Sequence, residues 1–260
     1  NKGTYVGNGP DYTRYTARVN TTAEKGIFKV GESISYTHSH ENTLTFNDNI
    51  LLGGIPPMIG SLVIAIPTMP IYDTANINGY GGSSSEFNGA NSLNAIGINN
   101  IFKNSVDVDR TFANVFGEVQ LLKHSAEHLK FKTSLSYDKT VARDVVWQPV
   151  FYLGKFFSSN TARLEDNSRV YTNASVENTL NYDKTFGKHS IEALAGQSYR
   201  YSSAILRYSH AEGFTVPYYP VIRNGQPTSA KGTDYHSAFS SYFCRINYSY
   251  SDRYLLSASI

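Results

Sequence analysis

The feature that most constrains this chain is the two-residue alternation that fills its last twenty-one positions, Ser240 to Ile260. Tyr242, Cys244, Ile246, Tyr248 and Tyr250 fall on one face, and Ser241, Phe243, Arg245, Asn247 and Ser249 on the other. Ser251-Asp252-Arg253 interrupts the pattern, which resumes with Tyr254, Leu256, Ala258 and Ile260 against Leu255, Ser257 and Ser259. Strict alternation of this kind is a β-strand with a different solvent on each side, and two such strands around a short break form an antiparallel hairpin. Tyrosines mark both ends of the apolar face, with small or aliphatic residues between. Strands of roughly ten residues, at about 3.3 Å each, cross a hydrocarbon layer when tilted. An aromatic girdle, an apolar band and a polar reverse face are the pattern of an outer-membrane β-barrel. A soluble β-sandwich also alternates, but its strands are usually shorter.

Upstream, the same period recurs in pairs. Tyr15–Thr21 and Phe28–Tyr36 flank a turn at 23–26, with Glu32 an acidic exception on the apolar face, placed at a bulge or under a neighbouring element. Ala113–Leu121 and Leu129–Tyr137 flank 123–128, and Thr172–Tyr182 and Ile191–Tyr199 flank 183–189. Long stretches without periodicity, 39–109, 138–169 and 202–238, read as loops. Four strand–short turn–strand pairs joined by three long loops predict short periplasmic turns on one edge and long extracellular loops on the other.

Composition agrees. Tyrosine is abundant, at 20 of 260 residues, and the mean hydropathy is −0.34, too low for a helical membrane protein but compatible with strands wet on one face. No apolar run is long enough for a membrane helix, because prolines break 55–71. A net charge of +2 gives no field for nucleic acid. The single cysteine, Cys244, excludes an intrachain disulfide framework and is read as a small lipid-facing hydrophobe.

The motifs with chemical potential are weak. His124-Ser-Ala-Glu-His128 matches a zinc-peptidase pattern but falls in a turn, where the required helix has no room. His38, His40 and Glu41, and separately Asp107 and Asp109, offer metal donors without a full ligand set. Neither catalytic residues nor a metal or other cofactor is expected, and the chain reads as a non-enzyme. The candidate ligand-binding residues are aromatics on the long connections: Trp147, Phe151, Tyr152, Phe156, Tyr218 and Tyr219. Such rings stack against sugars or clamp peptide side chains, and equally pack loops on one another.

Ser241-Tyr-Phe-Cys-Arg-Ile-Asn-Tyr-Ser-Tyr-Ser-Asp-Arg-Tyr-Leu-Leu-Ser-Ala-Ser-Ile260 closely resembles a strand pair of SusC/RagA-like TonB-dependent transporters of the Bacteroidetes, with Cys244 where that family usually has glycine. Pro67-Thr-Met-Pro-Ile-Tyr-Asp73 resembles a proline-rich element of an early extracellular loop, and 12–20 and 106–110 are similar to further family segments. The resemblance implies an all-β fold: about eight antiparallel strands of a larger, 22-stranded transmembrane barrel. Residues 1–260 would then belong to one barrel domain, with the plug domain and remaining strands outside this chain. It also implies import of oligosaccharides or peptides across the outer membrane of a Gram-negative, Bacteroidetes-like cell. The implied partners are a SusD-like surface lipoprotein, TonB (through other parts of the parent protein) and outer-membrane lipid. Two alternatives stand beside it: a self-contained eight-stranded structural or adhesion barrel, and a secreted carbohydrate-binding sandwich.

Overall fold

The alternation is realised as one continuous antiparallel sheet. The structure, a computed structural model, describes residues 11–43, 65–82, 93–155, 157–216 and 218–260. Its long strands are β1 (Asp11–Lys25), β2 (Phe28–Asn42), β3 (Lys103–His124), β4 (Glu127–Gln148), β7 (Arg163–Phe186), β8 (His189–Glu212), β9 (Gln226–Tyr250) and β10 (Tyr254–Ser259). They pair in the order β1-β2-β3-β4-β7-β8-β9-β10, a meander without crossovers. A short hairpin, β5 (Phe151–Tyr152) with β6 (Ser158–Ser159), and a helix, α1 (Ala95–Ile101), lie in the connections. No β1–β10 pairing occurs among the described residues, so the eight strands form an open sheet.

Three of the four short connections are tighter than the sequence predicts, and the fourth is 251–253 as expected. Gly26-Ile27 and Gly187-Lys188 are two-residue turns between paired ends, Lys25 with Phe28 and Phe186 with His189. Gly26 and Gly187 have φ of 63° and 59°, the left-handed conformation that a glycine-first hairpin turn requires.

The long loops are shorter than predicted. β4 runs unbroken to Gln148 and β7 begins at Arg163; β8 continues to Glu212 and β9 starts at Gln226. Strands of 22 to 25 residues are far longer than a bilayer needs, so their upper halves project beyond it. There the apolar–polar period fails because water or loops cover both faces. Pairing is reinforced instead by bidentate ion pairs such as Arg143–Asp166, 2.6 Å at the closest approach.

Register tracks a second line across the outward face. Tyr15 lies opposite His38, two residues above Tyr36. Tyr36 is level with Thr111 and Lys139, two above Tyr137. Tyr137 is level with Ala174 and Tyr201, two above Tyr199, which itself lies opposite Ser240, two above Tyr242. The tyrosines thus descend eight residues over six strand pairings. At about 3.3 Å per residue and about 4.8 Å between strands, that slope is the one strands tilted by about 40° draw when a horizontal interface cuts them. A lower belt begins level at Phe28 and Phe131 and then steps down the same way through Tyr182, Tyr248 and Tyr254.

Between the belts, Val19, Val30, Ile34, Val115, Leu135, Leu180 and Ile246 point outward and stand exposed. An apolar band of this extent is an interface with something other than water. Glu32 keeps its outward, exposed position between Val30 and Ile34, and the β2 register shows no bulge there. The irregularities fall instead at Gln120/Leu122 and His210/Ala211.

The inward face is polar and closely fitted. The Asn114 amide donates to Ser134 Oγ (3.0 Å) and Ser136 Oγ (2.6 Å). Phe116 covers Gly31, and Lys132 Nζ lies 4.7 Å from the centre of the Phe116 ring. The apolar core lies in the connections. Leu93, Ile98, Ile101 and Phe102 around α1 pack with Phe151, Leu153 and Phe157; Trp147, Ala162 and Leu164 form a second cluster with Phe214 and Ile222.

Candidate functional site

Five of the six predicted aromatics have a definite place. Trp147 shares the outward face of β4 with Leu135 and Tyr137, because the β4–β7 register runs without a shift from Glu127 to Gln148. It is 4% exposed and meets Phe214 edge-to-face at 4.9 Å, so as it stands the ring holds the 213–225 connection against the sheet. Phe151 is 2% exposed, packed on Phe102 and Phe157 at 4.9 and 4.8 Å. Tyr152, Tyr218 and Tyr219 are exposed, the last two on the same connection that Trp147 anchors. Phe156 lies outside the described residues. The five described aromatics are therefore divided between two packing clusters and an exposed rim, and they do not converge on one pocket.

A further set of residues does converge, on upper strand segments that lack apolar alternation. In the β7–β8–β9 register Asn167, Tyr208 and Lys231 are level, as are Glu165, His210 and Ser229. All six line an inward-facing depression of about 230 Å³. The His210 ring bonds Thr228 Oγ1 at 2.8 Å, and above it Arg163 pairs with Glu212 at 3.2 Å. Tyr171 faces inward four residues below Asn167, partly exposed like Tyr208. The arrangement supplies an aromatic face, a cation, a carboxylate and amide and hydroxyl groups at the upper rim of the inner wall. It can hold a ligand. The only signal in the sequence was tyrosine alternating with polar residues, which strand and loop share.

The metal candidates are otherwise engaged. His38 Nδ1 bonds Asp109 at 3.0 Å and His40 Nδ1 bonds Asp107 at 2.7 Å, each imidazole with its own carboxylate. Asp107 raises the imidazole pKa of His40, chiefly through that hydrogen bond. In the zinc-like pattern, Glu127 accepts from the Tyr182 hydroxyl at 2.7 Å and from Lys184, and the two histidines lie on different strands. Among the described residues no three donors group as a metal site.

No protein-family model matches the chain. A TonB-dependent receptor, P26 of Formosa agariphila, is 27% identical over 209 residues, covering 76% of this chain and 20% of its own length. The solved RagAB peptide importer superposes on 96% of this chain in both its open-open and closed-closed states. TM-scores are 0.69 and 0.70 at 16% identity, and the match covers 28% and 27% of the importer chain. The sheet order, the tilted belts and these likenesses agree with the family segments in the sequence. The chain resembles a segment of the SusC/RagA-like TonB-dependent receptors. The receptor segment spans about one fifth of the curated relative and just over a quarter of the solved chains. Its fold is that of a stretch of the importer's barrel wall, with the hairpin turns on one edge and the long strand ends on the other.

Proposed function

We propose that the receptor segment forms part of the wall and outer mouth of a TonB-dependent importer in a Gram-negative, Bacteroidetes-like outer membrane. Its substrate is an oligosaccharide or a peptide, met first by the inner wall at Tyr171 and Tyr208. The observation that carries this reading is the continuous sheet whose outward face is apolar between two tilted aromatic belts while its inward face is polar. Glu165 and Lys231 bracket Tyr208 with opposite charges, which suits the mixed charge of a peptide better than a neutral glycan. The solved neighbour, a peptide importer, supports the same choice.

The parent protein then carries a plug domain, the remaining strands and the TonB contact in parts outside this chain. A SusD-like lipoprotein lies over the outer edge, where exposed Tyr72, Ile77, Tyr152 and Tyr218 offer it an apolar surface. Binding and passage need no covalent step, so the segment supplies contacts and no catalytic residue or cofactor. The test is uptake of labelled peptides and oligosaccharides by cells producing the parent protein with Tyr208→Ala or with Tyr171→Ala. An interface aromatic commonly contributes 1–3 kcal/mol, so peptide uptake at sub-saturating concentration should fall about five-fold or more at normal barrel levels. Unchanged uptake of both substrate classes by both variants would overturn the assignment.

A further inference from the structure

On the outward face, at the upper belt and just below it, side-chain size alternates across the strands. Ala113, Tyr137 and Ala174 are level, and below them are Val115, Leu135, Val176 and Tyr199. The two alanines leave a trough of about 440 Å³ framed by the rings of Tyr137 and Tyr199, with an almost wholly apolar lining. Above it Thr111, Lys139 and Thr172 are level, so an exposed ammonium flanked by two threonines stands over the mouth of the trough. The nearby outward carboxylates are engaged elsewhere: Asp109 by Tyr36 and His38, Asp107 by His40, Asp166 by Arg143 and Asp234 by Arg207. Lys139 is thus a cation without a carboxylate among the described residues.

We propose that this trough binds a phosphate-headgroup lipid of the outer leaflet, one acyl chain lying between Tyr137 and Tyr199 and the anionic headgroup on Lys139. The proposal rests on the outer-membrane reading and adds a specific lipid site to it. A hydrocarbon groove under a spare cation is complementary to an amphiphile with an anionic head. A free phosphate would leave the groove empty, and a neutral lipid would leave the charge unmatched.

The experiment uses the intact parent protein in neutral detergent, with heat-modifiable mobility confirming a folded barrel and so testing the outer-membrane reading separately. Native mass spectrometry then counts retained dioleoyl phosphatidylglycerol, with dioleoyl phosphatidylcholine and inorganic phosphate as comparisons. The expected result is preferential retention of phosphatidylglycerol, undisturbed by millimolar phosphate. Lys139→Gln should weaken that retention about five-fold, the effect of one basic residue at an anionic lipid surface. Ala174→Phe, which fills the trough, should abolish the preference, while Ala195→Phe, outward but outside the trough, should not. Should Ala174→Phe fail to fold, Ala174→Leu and Lys139→Gln carry the test. Equal retention by the wild type and the Lys139 and trough variants would overturn the proposal. So would equal binding of the two lipids, complete displacement by phosphate, or a dimer that the trough variant converts to monomer without loss of lipid.

Discussion

The ring of Phe243 lies over the α-carbon of its register partner Gly196, so closely that a β-carbon there would stand 2.2 Å from the ring. Phe116 and Gly31 repeat the arrangement at 2.4 Å. A bulky inward ring is accommodated only because the facing residue has no side chain, and the polar wall gains a flat aromatic tile. Gly196→Ala must push the ring from its place, a kind of overpacking that costs about 1–3 kcal/mol. Thermal unfolding of the parent barrel should shift down for Gly196→Ala and recover in the Gly196→Ala/Phe243→Leu double variant. Additive losses in the double variant would count against the contact.

Opposite faces of one strand should respond oppositely to charge. An arginine on the lipid face near the bilayer midplane costs about 2–4 kcal/mol, whereas the wet face tolerates it. Leu135→Arg should therefore sharply reduce folded barrel in the membrane and Ser134→Arg should not, read as heat-modifiable protein from matched cultures. Equal yields would contradict the face assignment.

The His40–Asp107 pair, above the belt, carries a pH dependence. Because Asp107 raises the imidazole pKa, chiefly by hydrogen bonding, His40 takes up its proton more readily in the folded protein than in the unfolded chain. Its contribution is complete below the ordinary histidine value of about 6.5 and disappears as pH rises through the higher folded value. Both side chains are about 40% exposed, at 39% and 41%, so water screens the pair and the effect is small. His40→Gln should lower the melting temperature slightly at pH 5.5 and leave it unchanged at pH 9. A larger effect at the higher pH would refute the pairing.

Trp147→Ala tests whether that ring packs or binds. Buried at 4% exposure against Phe214, its loss should cost about 3–5 kcal/mol locally and expose the 213–225 connection to protease, with the rest of the barrel intact. A fall in substrate binding with unchanged protease resistance would restore it as a ligand contact.

Much of the wall was legible because one physical rule governed it. Between the belts, lipid on one side and water on the other force the period of two, so Leu135, Tyr137, Ser134 and Ser136 could be assigned faces directly. Above the belts the rule lapses. Tyr208, His210 and Lys231 lie on regular strands, yet their segment shows no apolar period, and 202–238 reads as a loop. Trp147 illustrates the same limit: its face follows from register, but its burial depends on Phe214 and Ile222, far away in sequence. Ion pairs such as Arg207–Asp234 join residues whose proximity only strand pairing creates.

The central claim is that one face of this sheet meets lipid and the other meets water. It is tested most directly by nitroxide labels at 133, 134, 135, 136 and 137, one at a time, in a Cys244→Ser parent protein in bilayers. Collision with oxygen, which partitions into lipid, and with a water-soluble nickel chelate is measured at each. The account predicts that labels at 133, 135 and 137 favour oxygen and those at 134 and 136 favour nickel, a full alternation with period two. Uniform accessibility across the five positions, or alternation in the opposite phase, would contradict it.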